Sequence, residues 1–503
     1  MKVEEKVISN TFYLFLDTFV VTFLSSVYWV LIGKALRPED LAIIATSTVL
    51  MSFLSALALL GLNSAIGKLI PEYAERDDKK RISGLVKFSF KFTLITNILL
   101  ALILAVFSFQ ICNLLKLPLA VFYITIIGIF VSSFATIAGN IIYGLQKMKK
   151  YFLIDLTGNI TKLVVSGLII LIGFSFYGPL MGFVFSFLLI FILRLEKKWF
   201  FIKSDKVDKK EVLIKYSFPS LIYSLATYVF TSLQFIILPI MTTQHETGLF
   251  ALANKYTFPL SVLAGTLASA LLPTISGLSV YQEAMKKKQA KIINLGLRYS
   301  LLLTLPVLIF FVVFSKAIIL TFASSEFLDA FHLFLPLALS SVFYGVSSIF
   351  INSLYAIRKP NVMRNISILV ATIFLISSIP LTLYFSSLGM SYAVLISMTL
   401  MLILGFVELR RFLKISIDTK SFLKLISANL VFLALMLIID VIPYSLMIKI
   451  ILAAASGFVY LFMLLFLRFY VKEDVTVAFY IAKKLPILKN QINFLVKMIS
   501  KYV

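Results

Sequence analysis

The sequence predicts an all-α polytopic membrane protein. About 14 transmembrane helices form two parallel six-helix lobes with pseudo-two-fold symmetry, followed by two extra C-terminal helices. Composition, the spacing of apolar runs and the placement of lysine and arginine carry that prediction. Of 503 residues, 60% are hydrophobic and 14% charged, with a mean hydropathy of +1.02. Soluble domains are usually under half apolar and about a quarter charged. This composition excludes a string of soluble domains and excludes disorder. One cysteine, Cys112, can build neither a disulfide framework nor a cysteine zinc site.

A spanning helix needs roughly 20 mostly apolar residues, because each adds about 1.5 Å against a core about 30 Å thick. The stretch after the first ten residues is too long for a signal-peptide core and lacks a small-residue cleavage site, so it reads as a span. The fourteen candidate spans are 11–33, 41–62, 88–110, 119–142, 152–173, 176–193, 217–240, 248–272, 299–320, 332–354, 365–385, 388–407, 422–442 and 446–467. The loops between them are too short for a soluble domain.

The net charge of +24 suggests nucleic acid until its distribution is read. The basic residues lie in short clusters between apolar runs, as cytoplasmic loops of membrane proteins do, so no nucleic-acid partner is expected. With the N-terminus inside, only Lys34, Arg37, Lys116, Lys316 and Lys449 fall outside, and Lys162 and Lys255 fall within spans. Both termini are therefore expected in the cytoplasm, with the protein in the cytoplasmic membrane. Beyond the last span, Leu488, Ile492, Leu495 and Ile499 recur at helical spacing among lysines, which suits a helix lying on anionic lipid.

The chain repeats itself. Arg37-Pro38-Glu39-Asp40-Leu41-Ala42 has a counterpart 206 residues on in Gln244-His245-Glu246-Thr247-Gly248. Gly144-Leu145-Gln146-Lys147 is echoed by Ala356-Ile357-Arg358-Lys359, and Gly178 by Gly389. Six spans separate each pair, so the copies share one orientation, a transporter architecture. The expected divisions are an N-terminal lobe at 1–195, a basic linker at 196–216, a second lobe at 217–415, two added helices at 416–470 and a basic amphipathic tail at 471–503.

On these residues, together with Pro71-Glu72-Tyr73-Ala74, Asp77-Asp78-Lys79-Lys80-Arg81 and Leu272-Pro273-Thr274-Ile275-Ser276, the chain resembles the polysaccharide flippases of the multidrug/oligosaccharidyl-lipid/polysaccharide exporter superfamily. The resemblance covers roughly residues 5–470. It implies two lobes around a cavity that opens alternately to either side, and a polyprenyl-diphosphate-linked glycan as substrate. It transfers no site residue, because the family has no universal catalytic signature.

Enzyme motifs are absent, and the phosphate-loop look-alike at Gly61–Leu69 has one residue too many and ends in leucine where a hydroxyl is required. No cofactor and no metal is expected. The informative residues are polar ones inside spans, where a charge costs about 2.5–3.5 kcal/mol on insertion scales. Asp155, Asn159, Lys162 and Ser166 share one helix face. Lys162 either pairs with an acid on a neighbouring helix or lines the cavity to meet a diphosphate. Lys255 either snorkels outward or joins it. Ser220, Ser224, Thr227, Thr231 and Gln234 form a second polar line, and Ser341, Tyr344, Ser348 and Asn352 a third. Such lines serve helix packing or a lumen that accepts sugar hydroxyls. Asp17 in the first span is the candidate for ion coupling. The expected partners are the lipid-linked glycan, membrane lipids and glycan-assembly enzymes. The rival readings are an ion-coupled multidrug antiporter of the same superfamily and a membrane glycan polymerase or ligase, although outer loops of about ten residues or fewer leave such an enzyme little room.

Overall fold

A computed structural model describes residues 3–266, 275, 286–413, 415, 419–443 and 445–470. Among them eleven helices are long and apolar enough to cross a membrane, or twelve when one bent pair counts as a span. The expected number of fourteen is not reached for three local reasons. Helix α17 (Pro360–Leu413) contains two expected spans, which meet at Ser386 with φ 50 and ψ −130. The eighth expected span begins as α12 (Gln244–Thr257) and α13 (259–266), and its remainder at 267–272 lies outside the described residues. The seventh is broken into α10 (Phe218–Ser232) and α11 (Gln234–Met241), bent by 47°.

That bend has a backbone cause. A π-helical turn over Glu211–Ser217 leads into α10, and Leu233 N–H reaches back to the Tyr228 carbonyl, one residue farther than in an α-helix. In α11, Pro239 has no N–H to give the Phe235 carbonyl. The hydroxyl of Thr46 on a neighbouring helix donates to that carbonyl instead, at 3.1 Å.

The first lobe comprises α1 (Val3–Ala35), α2 (Pro38–Leu59), α3 (Leu62–Glu75), α4 (Lys79–Val106), α5 (Ser108–Leu115), α6 (Leu119–Gly144), α7 (Met148–Leu171) and α8 (Tyr177–Arg194). Proline at the first position of α2, with Glu39 and Asp40 beside it, suits the positive end of a helix. Gly61, at φ +78, makes the turn into α3. There α3, which the hydropathy reading left as loop, packs against the π-helical turn. Asp78 caps α4 by accepting from the Arg81 N–H at 3.0 Å.

A short helix, α9 (Lys198–Phe201), follows on the face that carries the lysine-rich loops, called here the basic face. The linker runs strapped to α4: the Ser83 hydroxyl donates to the carbonyls of Trp199 and Ile202 at 2.7 and 2.9 Å, and Lys87 also reaches Ile202.

The second lobe repeats the plan with α10 to α13, α14 (Lys286–Val313), α15 (Ser315–Phe322), α16 (Phe331–Ala356) and α17. The break between α4 and α5 at Phe107 recurs between α14 and α15 at Phe314. Two further helices, α18 (Thr419–Val441) and α19 (Leu446–Phe466), pair with each other and lean on α14. At their turn Lys449 meets Asp440 at 2.9 Å. The expected tail helix at 471–503 lies outside the described residues.

The repeat is visible as contacts on the face opposite the basic one. There Asp40 accepts a hydrogen bond from Ser175, beside the α7–α8 turn, at 2.8 Å. Its counterpart Glu246 accepts from Ser387, beside the kink in α17. Each lobe thus ties its second helix to its own fifth-to-sixth turn with an acid and a serine. Between the lobes α2 packs on α12. Gly248 lets the two backbones touch, since a Cβ there would run into the Pro38 carbonyl.

Candidate functional site

A cavity of about 500 Å³ lies between the lobes, walled by α1 and α2 on one side and by α10 to α13, α16 and α17 on the other. Its wall is rich in hydroxyls whose hydrogens are already committed. Thr22, Ser26, Thr231, Ser261 and Ser340 each donate to a carbonyl three or four residues back. What these five offer the cavity is lone pairs, so they accept more readily than they donate. Gln234 gives its amide to the Thr231 carbonyl at 2.7 Å and leaves its own buried carbonyl oxygen without a partner. Among the described lining residues Lys255 is the one charged side chain. Its amine does not snorkel outward; it lies 4.9 Å from the Trp29 ring centre and 5.3 Å from that of Phe235. Aromatic faces of that kind stabilise a cation without neutralising it.

Lys162 is placed differently from both sequence readings. It is 6% exposed and does not line the cavity. No acid pairs with it among the described residues. Its amine donates to Asn159 Oδ1 at 3.1 Å and sits over the rings of Tyr28 and Phe183 at 4.6 and 5.1 Å. It remains close enough to Lys255 for the two charges to repel.

The acid on its helix, Asp155, is taken by a residue the sequence reading counted only as a loop charge. Arg194 at the end of α8 forms a salt bridge with Asp155, donates to the Ala135 carbonyl at 3.3 Å and lies 4.4 Å from the Tyr151 ring centre. Asp17 feels both charges, and its Oδ1 is buried without a hydrogen bond. Of the second polar line, Thr231 and Gln234 reach the cavity while Ser224 and Thr227 do not. Of the third, Ser341 and Tyr344 reach it, and Asn352 lies beyond it on α16. The residues that flank the 47° bend face the cavity, whereas Ser224 and Thr227 lie farther back along α10 and Asn352 farther along α16.

A second cavity was not anticipated. It measures about 1260 Å³ and lies among α14, α16, α17 and α18 in the second lobe. Leu301, Leu305, Val342, Phe343, Val346 and Phe350 line its depth, whereas Lys286, Lys287, Lys291, Arg298 and Arg411 stand around its mouth on the basic face. Arg298 also holds the chain beyond α19, donating to the Phe469 carbonyl at 2.7 Å. The signal in the sequence was Lys286–Lys291 running into a leucine-rich span with Arg298 at its edge.

Outside the spans, Glu196 gathers Lys147 at 2.5 Å, Lys150 at 3.2 Å and Lys198 at 3.8 Å. Burial works against its charged form, but the hydrogen bonds and charges of Lys147 and Lys150 outweigh it and hold the carboxyl below its ordinary value of 4.5. A depressed carboxylate stabilises the fold above the unfolded value and stops doing so as pH falls through the folded one. Glu196→Gln should therefore cost about 1 kcal/mol at neutral pH, a modest figure because the lysines are half in solvent. In thermal unfolding the difference from the parent should be full above pH 4.5 and fade below it.

Comparisons with known proteins agree with this architecture. A family model described as "Polysaccharide biosynthesis protein" matches residues 31–332. The probable low-salt glycan biosynthesis flippase Agl15 of Haloferax volcanii is 25% identical over 196 residues, which is 39% of this chain and 41% of that protein. Among solved structures, the lipid II flippase MurJ in an inward closed conformation superposes with a TM-score of 0.70 at 20% identity, covering 90% of this chain and 97% of that one. An inward-facing multidrug resistance MATE family transporter gives 0.62 at 15% identity, covering 78% and 94%. Both share the two-lobed fold. With the family model matching residues 31–332, more than half of the chain, the chain belongs to the polysaccharide biosynthesis protein family, and it is a multi-pass membrane protein that shares its fold with these two transporters.

Proposed function

We propose that the protein moves a polyprenyl-diphosphate-linked oligosaccharide across the cytoplasmic membrane by alternating access, with its basic face and both termini in the cytoplasm and with no covalent step. Hydrocarbon does not admit sugars or a diphosphate, while a polyprenyl tail already dissolves in it. The observation that carries the reading is the pairing of two unlike cavities. One is small, rich in hydroxyl oxygens and holds one lysine among its described lining residues; the other is larger, mostly apolar and basic at its mouth. Sugar hydroxyls donate to the first, a prenyl chain fits the second, and the basic mouth attracts the diphosphate.

Lys255 is the lysine assigned to the polar head, with Thr231 and Gln234 also in the cavity wall, and Lys162 adds positive potential from outside it. The division into lobes at 1–195 and 217–415 joined by 196–216 is the mechanical counterpart, and glycan-assembly enzymes would supply the cargo. The decisive experiment is reconstitution into liposomes with a fluorescent lipid-linked oligosaccharide, followed by quenching of the outward-facing label. The expected result is protein-dependent exposure of the label without change in its mass. Exposure that fails, or a product of altered mass, would reject transport.

The buried and unbonded Asp17 oxygen favours one second reading, in which a proton or Na⁺ bound there is coupled to movement. The same liposomes with and without an ion gradient test it, and Asp17→Asn should abolish the gradient dependence. An exporter of small cations is less well served, because the cavity between the lobes presents an amine rather than an acid.

A further inference from the structure

The seam between the lobes on the face opposite the basic one is fastened by bonds of two kinds. Most are indifferent to pH. Lys34 donates to the Ala323 carbonyl at 3.3 Å, and Ser324 N–H to the Gly33 carbonyl at 3.0 Å. Gln244 reaches the carbonyls of Leu115 and Lys116 at 3.2 and 2.9 Å, and Lys116 reaches the Thr242 carbonyl at 2.5 Å. The other kind is a single contact: His245 Nδ1 stands 3.0 Å from Glu39 Oε1. These two residues are 206 positions apart, the offset of the internal repeat, so they are equivalent positions of the two halves meeting across the pseudo-two-fold axis.

The symmetry has given the two copies complementary side chains where identical ones would have repelled. Both are open to solvent, with 42% and 49% of their side-chain surfaces exposed, so protons exchange freely there.

We infer that Glu39 and His245 form a proton-sensitive latch on the outward side of the transport path, holding the lobes together when the exterior is acidic and easing their separation as it becomes alkaline. This rests on the alternating-access reading and the orientation given above. A protonated imidazole attracts the carboxylate, whereas a neutral one keeps only a hydrogen bond. Opening outward must break this contact, so the charged pair biases the closed state.

The other charged groups around it are accounted for. On α2, Asp40 is held by Ser175, and on α12 itself Glu246 is held by Ser387. Lys34 and Lys116 are bound to carbonyls as described, and Arg37 precedes α2. Beyond them, Glu326 and Asp329 lie on the 3₁₀ turn and His332 on α16, both packed against α12. Neither α11 nor the outward part of α17 adds a charge. Because His332 is the other histidine of the chain, the test must remove His245 specifically.

Spin labels at Phe174→Cys and Tyr384→Cys, at the exposed tips of the two lobes, in a Cys112→Ala background would report their separation in the full chain in nanodiscs by double electron–electron resonance. Between about pH 5.5 and about pH 8, the widely separated population should rise roughly twofold to fivefold, the span of an exposed ion pair. His245→Gln and Glu39→Gln should each flatten that response, and His245→Lys should hold the narrow separation at both pH values. A parent whose distances ignore pH, or a His245→Gln variant that keeps the parent's response, would overturn the latch. The readout needs no cargo, so it stands or falls apart from the identity of the glycan.

Discussion

Lys255→Met should lower the rate of glycan flipping by about 10- to 100-fold, because a hydrogen bond to a charged group contributes about 1.5–3 kcal/mol. The side chain is the one charge among the described residues of the cavity between the lobes, and its amine rests on Trp29 and Phe235 rather than on an acid. Removing it strands no buried carboxylate, so the fold should be retained. Methionine fills nearly the same volume and spares the protein the cost of a charge inside the membrane. The expected signature is a transport loss with an unchanged or slightly raised melting temperature.

Lys162→Met should behave likewise in stability, with a smaller transport loss of a few-fold, because its amine does not line the cavity and acts on it only through space. Unfolding curves in detergent and the liposome assay together check both variants. An unaltered flipping rate in Lys255→Met would remove that amine from the mechanism.

Arg194→Met should have the opposite profile: a loss of stability of about 3–5 kcal/mol, as expected when one partner of a buried ion pair is removed. Arg194 is 6% exposed, and Gly139 leaves the space its guanidinium occupies, since a Cβ there would meet its Nη1 at 2.5 Å. Without Arg194, Asp155 would face Asp17 across an apolar interior with no cation between them. Adding Asp155→Leu should recover much of the loss, because the double variant leaves neither member of that ion pair buried without its partner. Melting temperatures of the two single variants and the double variant form a double-mutant cycle. Additive effects would mean that the two side chains do not depend on each other.

The features legible in the sequence were those with a one-dimensional signature. Apolar length gave most spans, lysine placement gave a common face, and the repeat gave two lobes. The Glu39–His245 and Asp40–Glu246 positions could be paired from the repeat offset before any contact was known. Partner choice was not legible, because it depends on which helices become neighbours. Asp155 and Lys162 share a face, yet Asp155 turned to Arg194 on α8 and Lys162 to aromatic rings on α1 and α8. The bend at Leu233 rests on a π-type backbone bond that hydropathy does not register. The large apolar cavity escaped notice because its leucines and phenylalanines look like any lipid-facing surface until four helices enclose them.

The twin carboxylate-to-serine ties, Asp40 to Ser175 and Glu246 to Ser387, bear on how the halves have diverged. These ties were kept in both copies, but the buried charges of α7 and α8 were not. Where the repeat equates positions with Lys162 and Arg194, the second copy offers Ile373 or Phe374 and Gly405 or Phe406. Having its own brace, each half can hold its shape without help from the charges of the other. Evolution was thereby free to bury ions inside one half and keep the matching interior of the other oily, an asymmetry that two identical halves could not have had.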